Sequence, residues 1–210
     1  MIAPMDDPSQ NVRVVEDAMD PARAAALHLS LGLAGPPPEP GERLRPFFHQ
    51  AYFWDPCPPR DLGPDGHPRP GTGLVPDLGP ARRMWAGGRV SFLGPLRTGI
   101  PAERHSTLER IEHKTGRTGP LVFVTLCHEI RQLGRVAIVE WQHLVYRRPA
   151  GEARAEPRPS PAPDDETASA RRRFSPPDLF RYSALTFNGH RIHYDRDYAT
   201  GVEGYGGLVV

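Results

Sequence analysis

The chain has 210 residues, a formal net charge of +1, 26 prolines and two cysteines. That length fits one ordinary domain, or one domain and part of another. So small a charge excludes a broad electrostatic case for nucleic acid or an anionic membrane as partner. No apolar run nears the roughly 20 residues that span a bilayer, and no basic-then-apolar leader opens the chain, so a soluble cytoplasmic protein is predicted. Cys57 in a proline-rich loop and Cys127 in an apolar run give no disulfide framework, which fits a reducing compartment.

Residues 1–19 are read as a disordered N-terminus. From 20 to 33, "DPARAAALHLSLGL" predicts a helix: Asp20 is a fair N-cap, Pro21 suits the first helical position, and Gly32 or Gly35 can end it. In 41–53, Leu44, Phe47, Phe48, Ala51 and Tyr52 fall near the spacing of one helix face, and a second helix is predicted there, with Pro46 in its first turn. Residues 55–83 form a Pro/Gly-rich loop. Its "DLGPDGHPRPGTG" has neither a preceding strand nor a Lys-Ser/Thr ending, so it is not a P-loop.

Four strands are then predicted at 83–99, 103–117, 119–134 and 135–148, joined at "TGRTG" and "QLGR" by hairpin turns. Apolar and polar residues alternate clearly in "VFVTLCHEI" and "AIVEWQHLVY". Helix followed by an antiparallel meander, an α+β pattern, makes 20–148 a first domain. Residues 149–177 are rich in Pro, Ala, Ser and charge without apolar periodicity. Such a segment cannot bury enough surface to offset its ordering entropy, and it is read as a linker. Ordered structure resumes at 178–210, where His190, His193 and Asp195 stand in the order His-x-x-His-x-Asp.

Those last residues carry a resemblance. "LFRYSALTFNGHRIHYDRDYA" (179–199) resembles the type 2 hydratase motif of the MaoC-like dehydratases, in which an aromatic-containing strand leads into Ser/Thr-Gly-Asp-x-Asn-Pro-[Leu/Ile]-His-x-Asp. "RRMWAGGRVSF", "KTGRTGPLVFVTLCHEI" and "VEWQHLVYR" are similar to the degenerate first half of double-hot-dog members. "FNGHRIHYDRDYA" resembles the mesaconyl-C4-CoA hydratase branch and the related hydroxyacyl-thioester dehydratases. The resemblance implies a hot-dog fold, a helix wrapped by antiparallel sheet. It also implies that 178–210 begins a second, catalytic hot dog whose central helix and oxyanion-binding glycine N–H would lie beyond Val210. A truncated chain of impaired activity is therefore expected.

What the resemblance implies chemically is addition of water to an enoyl-CoA, or its removal from a 3-hydroxyacyl thioester, without metal or redox cofactor. The family's catalytic His falls on His193, and an imidazole suits proton exchange near neutrality. The family's catalytic Asp falls on Asn188, whose amide can orient a water but cannot ionise. The family's Asn-Pro pair falls on His190-Arg191. Arg181 or Arg191 is a candidate partner for a free substrate carboxylate, and Tyr182 is a candidate pocket residue. Asp195 reads as a cap for the following turn. A metal held by His190, His193 and Asp195 lacks further ligands at a recognised spacing, so none is expected. The rival reading is a non-catalytic hot-dog protein that binds an acyl thioester. As partner, either reading admits a homodimer or a complementing hot-dog subunit.

Overall fold

The computed structural model describes residues 12–79, 82–116, 119–147, 161 and 164–210. Most of the expected linker and residues 1–11 lie outside them. Five strands form one antiparallel sheet: β1 (Val12–Asp17), β2 (Arg82–Phe92), β3 (Ala102–Gly116), β4 (Gly119–Gln132) and β5 (Arg135–Arg147). Their spatial order is β1-β3-β4-β5-β2. β1 corrects the expected disordered N-terminus, since it pairs with the edge of β3 from Val12↔Thr107 to Asp17↔Ala102. Its order comes from that long-range ladder; its own signal, Val12, Val14 and Val15 in a six-residue run, is short and was passed over.

The predicted strands of the meander are present, although β2 ends at Phe92, before Gly94 and Pro95. The β4–β5 hairpin turns on Leu133 (φ 52°) and Gly134 (φ 73°), two successive left-handed residues, as a two-residue primed turn requires. That register sets Val124 opposite Leu144 and Ile130 opposite Ile138. Alternation then sends these side chains to one face. Against that face lies the predicted helix α1 (Pro21–Ser30), whose N-cap Asp20 accepts from Ala22 N at 2.9 Å. Ala24 and Leu27 of α1 join Ile130, Ala137 and Ile138 of the sheet in the main core. Val124, Leu126, Leu144 and Tyr146 form a second cluster, covered by Leu74, Val75 and Leu78 of the loop before β2.

The second predicted helix is absent. Residues 41–53 form turns with a 3-10 segment at Phe48–Ala51. Pro46 carries no amide hydrogen, and Phe47 takes φ 68°, outside the helical region. The apolar spacing was real, because Leu44, Phe48, Ala51 and Tyr52 are all buried, but turns deliver them to the core. Gln132 is one of the side chains that fasten the crossover from β2 to β3. Gln132 accepts from Arg97 N at 2.8 Å and donates to the carbonyls of Arg97 (2.9 Å) and Ile100 (2.7 Å).

A further correction concerns the segment before the motif. The aromatic-containing strand implied by the resemblance is a helix here, α2 (Pro176–Leu185), which starts within the expected linker. Ser175 and Asp178 form a capping box, with Ser175 N donating to Asp178 Oδ2 at 2.8 Å, and the prolines occupy first-turn positions where no intrahelical donor is needed. No helix among the described residues is long and apolar enough to cross a membrane.

Candidate active site

Local bonds shape the motif before any chemistry enters. Trp54 fixes the end of α2, donating from Nε1 to Leu185 O at 3.0 Å and stacking on Phe187 with centroids 5.3 Å apart. The chain then turns at Phe187 (φ 52°), and Asn188 N returns to Ser183 O at 2.8 Å. The Asn188 Oδ1 accepts from His190 N at 3.1 Å, so the amide is held by the loop it belongs to. A 3-10 turn, Arg191–His193, follows with Ile192 buried at its centre. Asp195 caps the next turn as expected: its Oδ1 accepts from Tyr198 N at 3.0 Å, while Oδ2 accepts from Arg191 Nη2 (2.7 Å) and Nε (2.9 Å).

The tail "GLVV" folds back on this loop. Val209 N donates to Ile192 O at 3.0 Å, and Val209 O lies 2.9 Å from His193 Nδ1. A carbonyl only accepts, so Nδ1 carries a hydrogen and the neutral ring presents the Nε2 lone pair. Leu208 and Val209 also pack on Ile192, Tyr198 and Ala199.

The loop before β2 brings in residues that the sequence reading passed over. Arg191 N donates to Asp65 O at 2.9 Å and Arg191 Nη1 to Pro64 O at 3.0 Å. Gly66 and Gly189 face each other so closely that a Cβ on Gly66 would lie 2.0 Å from Gly189 O. The docked loop sets His67 beside the motif, its ring centroid 4.4 Å from that of His190, which lies 5.5 Å from that of His193. Asp65 Oδ2 is 3.2 Å from His67 Nδ1, and Oδ1 accepts from His67 N at 3.1 Å. Asp65, His67, His190, Arg83, Tyr146 and Tyr198 are among the residues lining a cavity of about 900 Å³.

Charge in this cavity is tuned by burial and by the loop. Burial acts to raise the Asp65 carboxyl, but the hydrogen bonds and charge of His67 outweigh it and hold the group below its usual value. Burial lowers His67 against the opposing pull of Asp65. Burial, then the neighbouring His67, lowers His190 to about 4. Tyr198 is pushed up to about 12 by burial and by its hydrogen bond to Glu203 (2.8 Å), which also pairs with Arg82.

Of the residues singled out from sequence, Asn188 and His193 lie in the motif loop and are not among the residues that line this cavity. Arg191 is engaged by Asp195 and Pro64. Arg181 and Tyr182 are exposed on α2. Asp65, His67 and His190 offer donor atoms within 4.8 Å of one another, a spacing at which a divalent ion could be held. The local signal for Asp65 and His67 was slight, a carboxylate and an imidazole two positions apart in a loop with no periodicity.

A sheet packed on helix α1, with a histidine loop docked at its end, is a hot-dog architecture. The profile of the hydroxyacyl-thioester dehydratase type 2 family matches residues 47–210. The chain belongs to that family and is a hydro-lyase. It is 44% identical over 199 residues to the mesaconyl-C(4)-CoA hydratase of Chloroflexus aurantiacus, covering 93% of this chain and 70% of that protein. Among solved structures it resembles a MaoC-like dehydratase from Phytophthora capsici (TM-score 0.61, 14% identity, 95% of this chain and 69% of that one). It also resembles HtdX of Mycobacterium tuberculosis (TM-score 0.58, 17% identity, 95% and 70%). At such identities these two speak for the fold.

Proposed function

We propose that the protein hydrates a short unsaturated dicarboxylyl-CoA of the mesaconyl type, or runs the reverse dehydration, in the cytoplasm. Support for the substrate class comes from the 44% identity to a mesaconyl-C(4)-CoA hydratase. His193 is the acid/base group, and Asn188 orients the attacking water. The observation that carries this assignment is the His193 Nδ1–Val209 O contact of 2.9 Å, which leaves Nε2 able to exchange a proton with substrate or water. Arg181, which forms no ion pair among the described residues, and Tyr182 beside it meet the polar end of the substrate. Arg191 shapes the loop through Asp195. The reaction needs no metal or redox cofactor, and the working form is a homodimer or a pair with a second hot-dog subunit.

Asn188 in the place of an ionisable residue favours a second reading, a protein that binds the thioester without turning it over. One experiment separates the two. The absorbance of mesaconyl-CoA is followed with the protein and with His193→Ala. A fall in the enoyl band with the first and not the second supports hydration. Tight thioester binding with no change in absorbance supports the binding reading instead.

A further inference from the structure

Hydration at this site lacks an ionisable group where Asn188 stands, and the structure brings one from elsewhere. We propose that His67, oriented by Asp65, is a second acid/base residue of the site and does the proton work that Asn188 cannot. The inference rests on the hydro-lyase reading above and assigns its missing partner.

The geometry is specific to these residues. Asp65 Oδ2 lies 3.2 Å from His67 Nδ1, and Oδ1 holds the His67 amide at 3.1 Å. A carboxylate only accepts, so Nδ1 carries the hydrogen and Nε2 presents a lone pair. The pair sits in the wall of the 900 Å³ cavity that His190 also lines. It is fastened to the motif by the backbone bond Arg191 N to Asp65 O (2.9 Å), by Arg191 Nη1 to Pro64 O (3.0 Å), and by the Gly66–Gly189 approach.

In the hydration direction, the water oxygen bonds to the β-carbon of the enoyl thioester as one of its O–H bonds breaks. That proton passes to His67 Nε2, and Asp65 offsets the imidazolium charge. The π electron pair moves to the α-carbon and forms a C–H bond with the Nε2 proton of His193, which enters the turnover as the imidazolium and leaves it neutral with its Nδ1 hydrogen still donated to Val209 O. His190 neighbours both rings, with centroids 4.4 Å and 5.5 Å away, and passes the proton from His67 back to His193. Each turnover consumes one water and restores both rings.

The test compares kcat and KM for mesaconyl-CoA in the protein, His67→Gln, His67→Ala, Asp65→Asn and Asp65→Glu, each with a thermal melt. His67→Gln is expected to lose roughly 10²–10⁴-fold in kcat, the usual contribution of a general acid or base, with KM and melting temperature retained. Asp65→Asn should lose less, Asp65→Glu should recover part of that loss, and added imidazole should revive His67→Ala. An unchanged kcat in His67→Gln, while His193→Ala is inactive, overturns this inference and leaves the hydro-lyase reading standing. A wild-type protein silent on the thioester overturns both. Activity lost on dialysis against a chelator and restored by zinc overturns the proton role in favour of a metal held by Asp65, His67 and His190. If His67→Gln unfolds, the Asp65 pair and imidazole rescue decide.

Discussion

Gly66 is the point where the loop carrying Asp65 and His67 touches the loop carrying Asn188 and His193. Its φ is +89°, and an added Cβ would meet Gly189 O at 2.0 Å and Gly189 C at 3.0 Å. Real Cβ contacts essentially never fall below 3.0 Å, so Gly66→Ala must part the two backbones by about 1 Å. The obstacle is a carbonyl of the main chain, which has no rotamer to change. Two costs follow. A non-glycine residue in left-handed backbone costs about 1–2 kcal/mol, and losing the Arg191 N–Asp65 O bond costs about 0.5–1.5 kcal/mol more. Gly134→Ala isolates the first cost, because Gly134 has φ +73° and nothing within 4 Å of its Cβ position. Urea melts should therefore show Gly66→Ala as the more damaging substitution by about 1 kcal/mol. Activity should separate them further, since a misplacement of ~1 Å at a reacting group can cost about 10²-fold. Equal melts for the two variants, with full kcat in Gly66→Ala, would refute the idea that this contact aligns the site.

Two further outcomes follow from buried polar groups. Asp17 accepts from Met19 N, Phe53 N and Arg23 Nη1, each at 2.8 Å, so Asp17→Ala should lose about 3–5 kcal/mol in a denaturant melt; a loss below 1 kcal/mol, the scale of an exposed pair, would contradict its role as a clasp between β1, α1 and Phe53. His128 is lowered to about 4 by burial and then by Arg104, and His190 to about 4 by burial and then by His67. Unfolded chains take up these protons near pH ~6.5 and the folded protein only near pH 4, so this stability is complete above about pH 6.5 and is lost as pH falls toward 4. His128→Gln should flatten the decline of the urea midpoint across that window, and an unchanged slope would remove His128 from the account.

What could be read from sequence follows from where each signal is stored. α1 carries its own N-cap in Asp20 and its own stop near Gly32, and β3 to β5 carry alternation with turn residues between them, so both were legible. β1 was not, because six residues at a sheet edge become a strand only when β3 offers its ladder. Residues 41–53 mislead for a different reason: burial at Leu44, Phe48, Ala51 and Tyr52 satisfies a helical spacing without a helix. α2 had a local signal, the Ser175–Asp178 capping box, masked by the composition of the segment before it. The family's catalytic positions fall on His193 and Asn188 by resemblance alone. The Asp65–His67 pair could not be placed, because Pro64 and Arg191 are 127 positions apart and only the fold joins them.

Three separate segments build the site, and main-chain atoms make most of the joins. Asp65 O receives the loop at Arg191, Gly189 O meets Gly66 and accepts from Tyr194 Oη at 2.8 Å, and Val209 O orients His193. Backbone joins do not depend on which side chain a position carries, so the arrangement tolerates substitution wherever the φ angle and the approach distance allow a Cβ. It fails where they do not, at Gly66 and Gly189. The same backbone contacts hold the loop of Asp65 and His67 against the loop of Asn188 and His193, so under the proposal above a carboxylate absent at Asn188 is matched by one on a neighbouring segment.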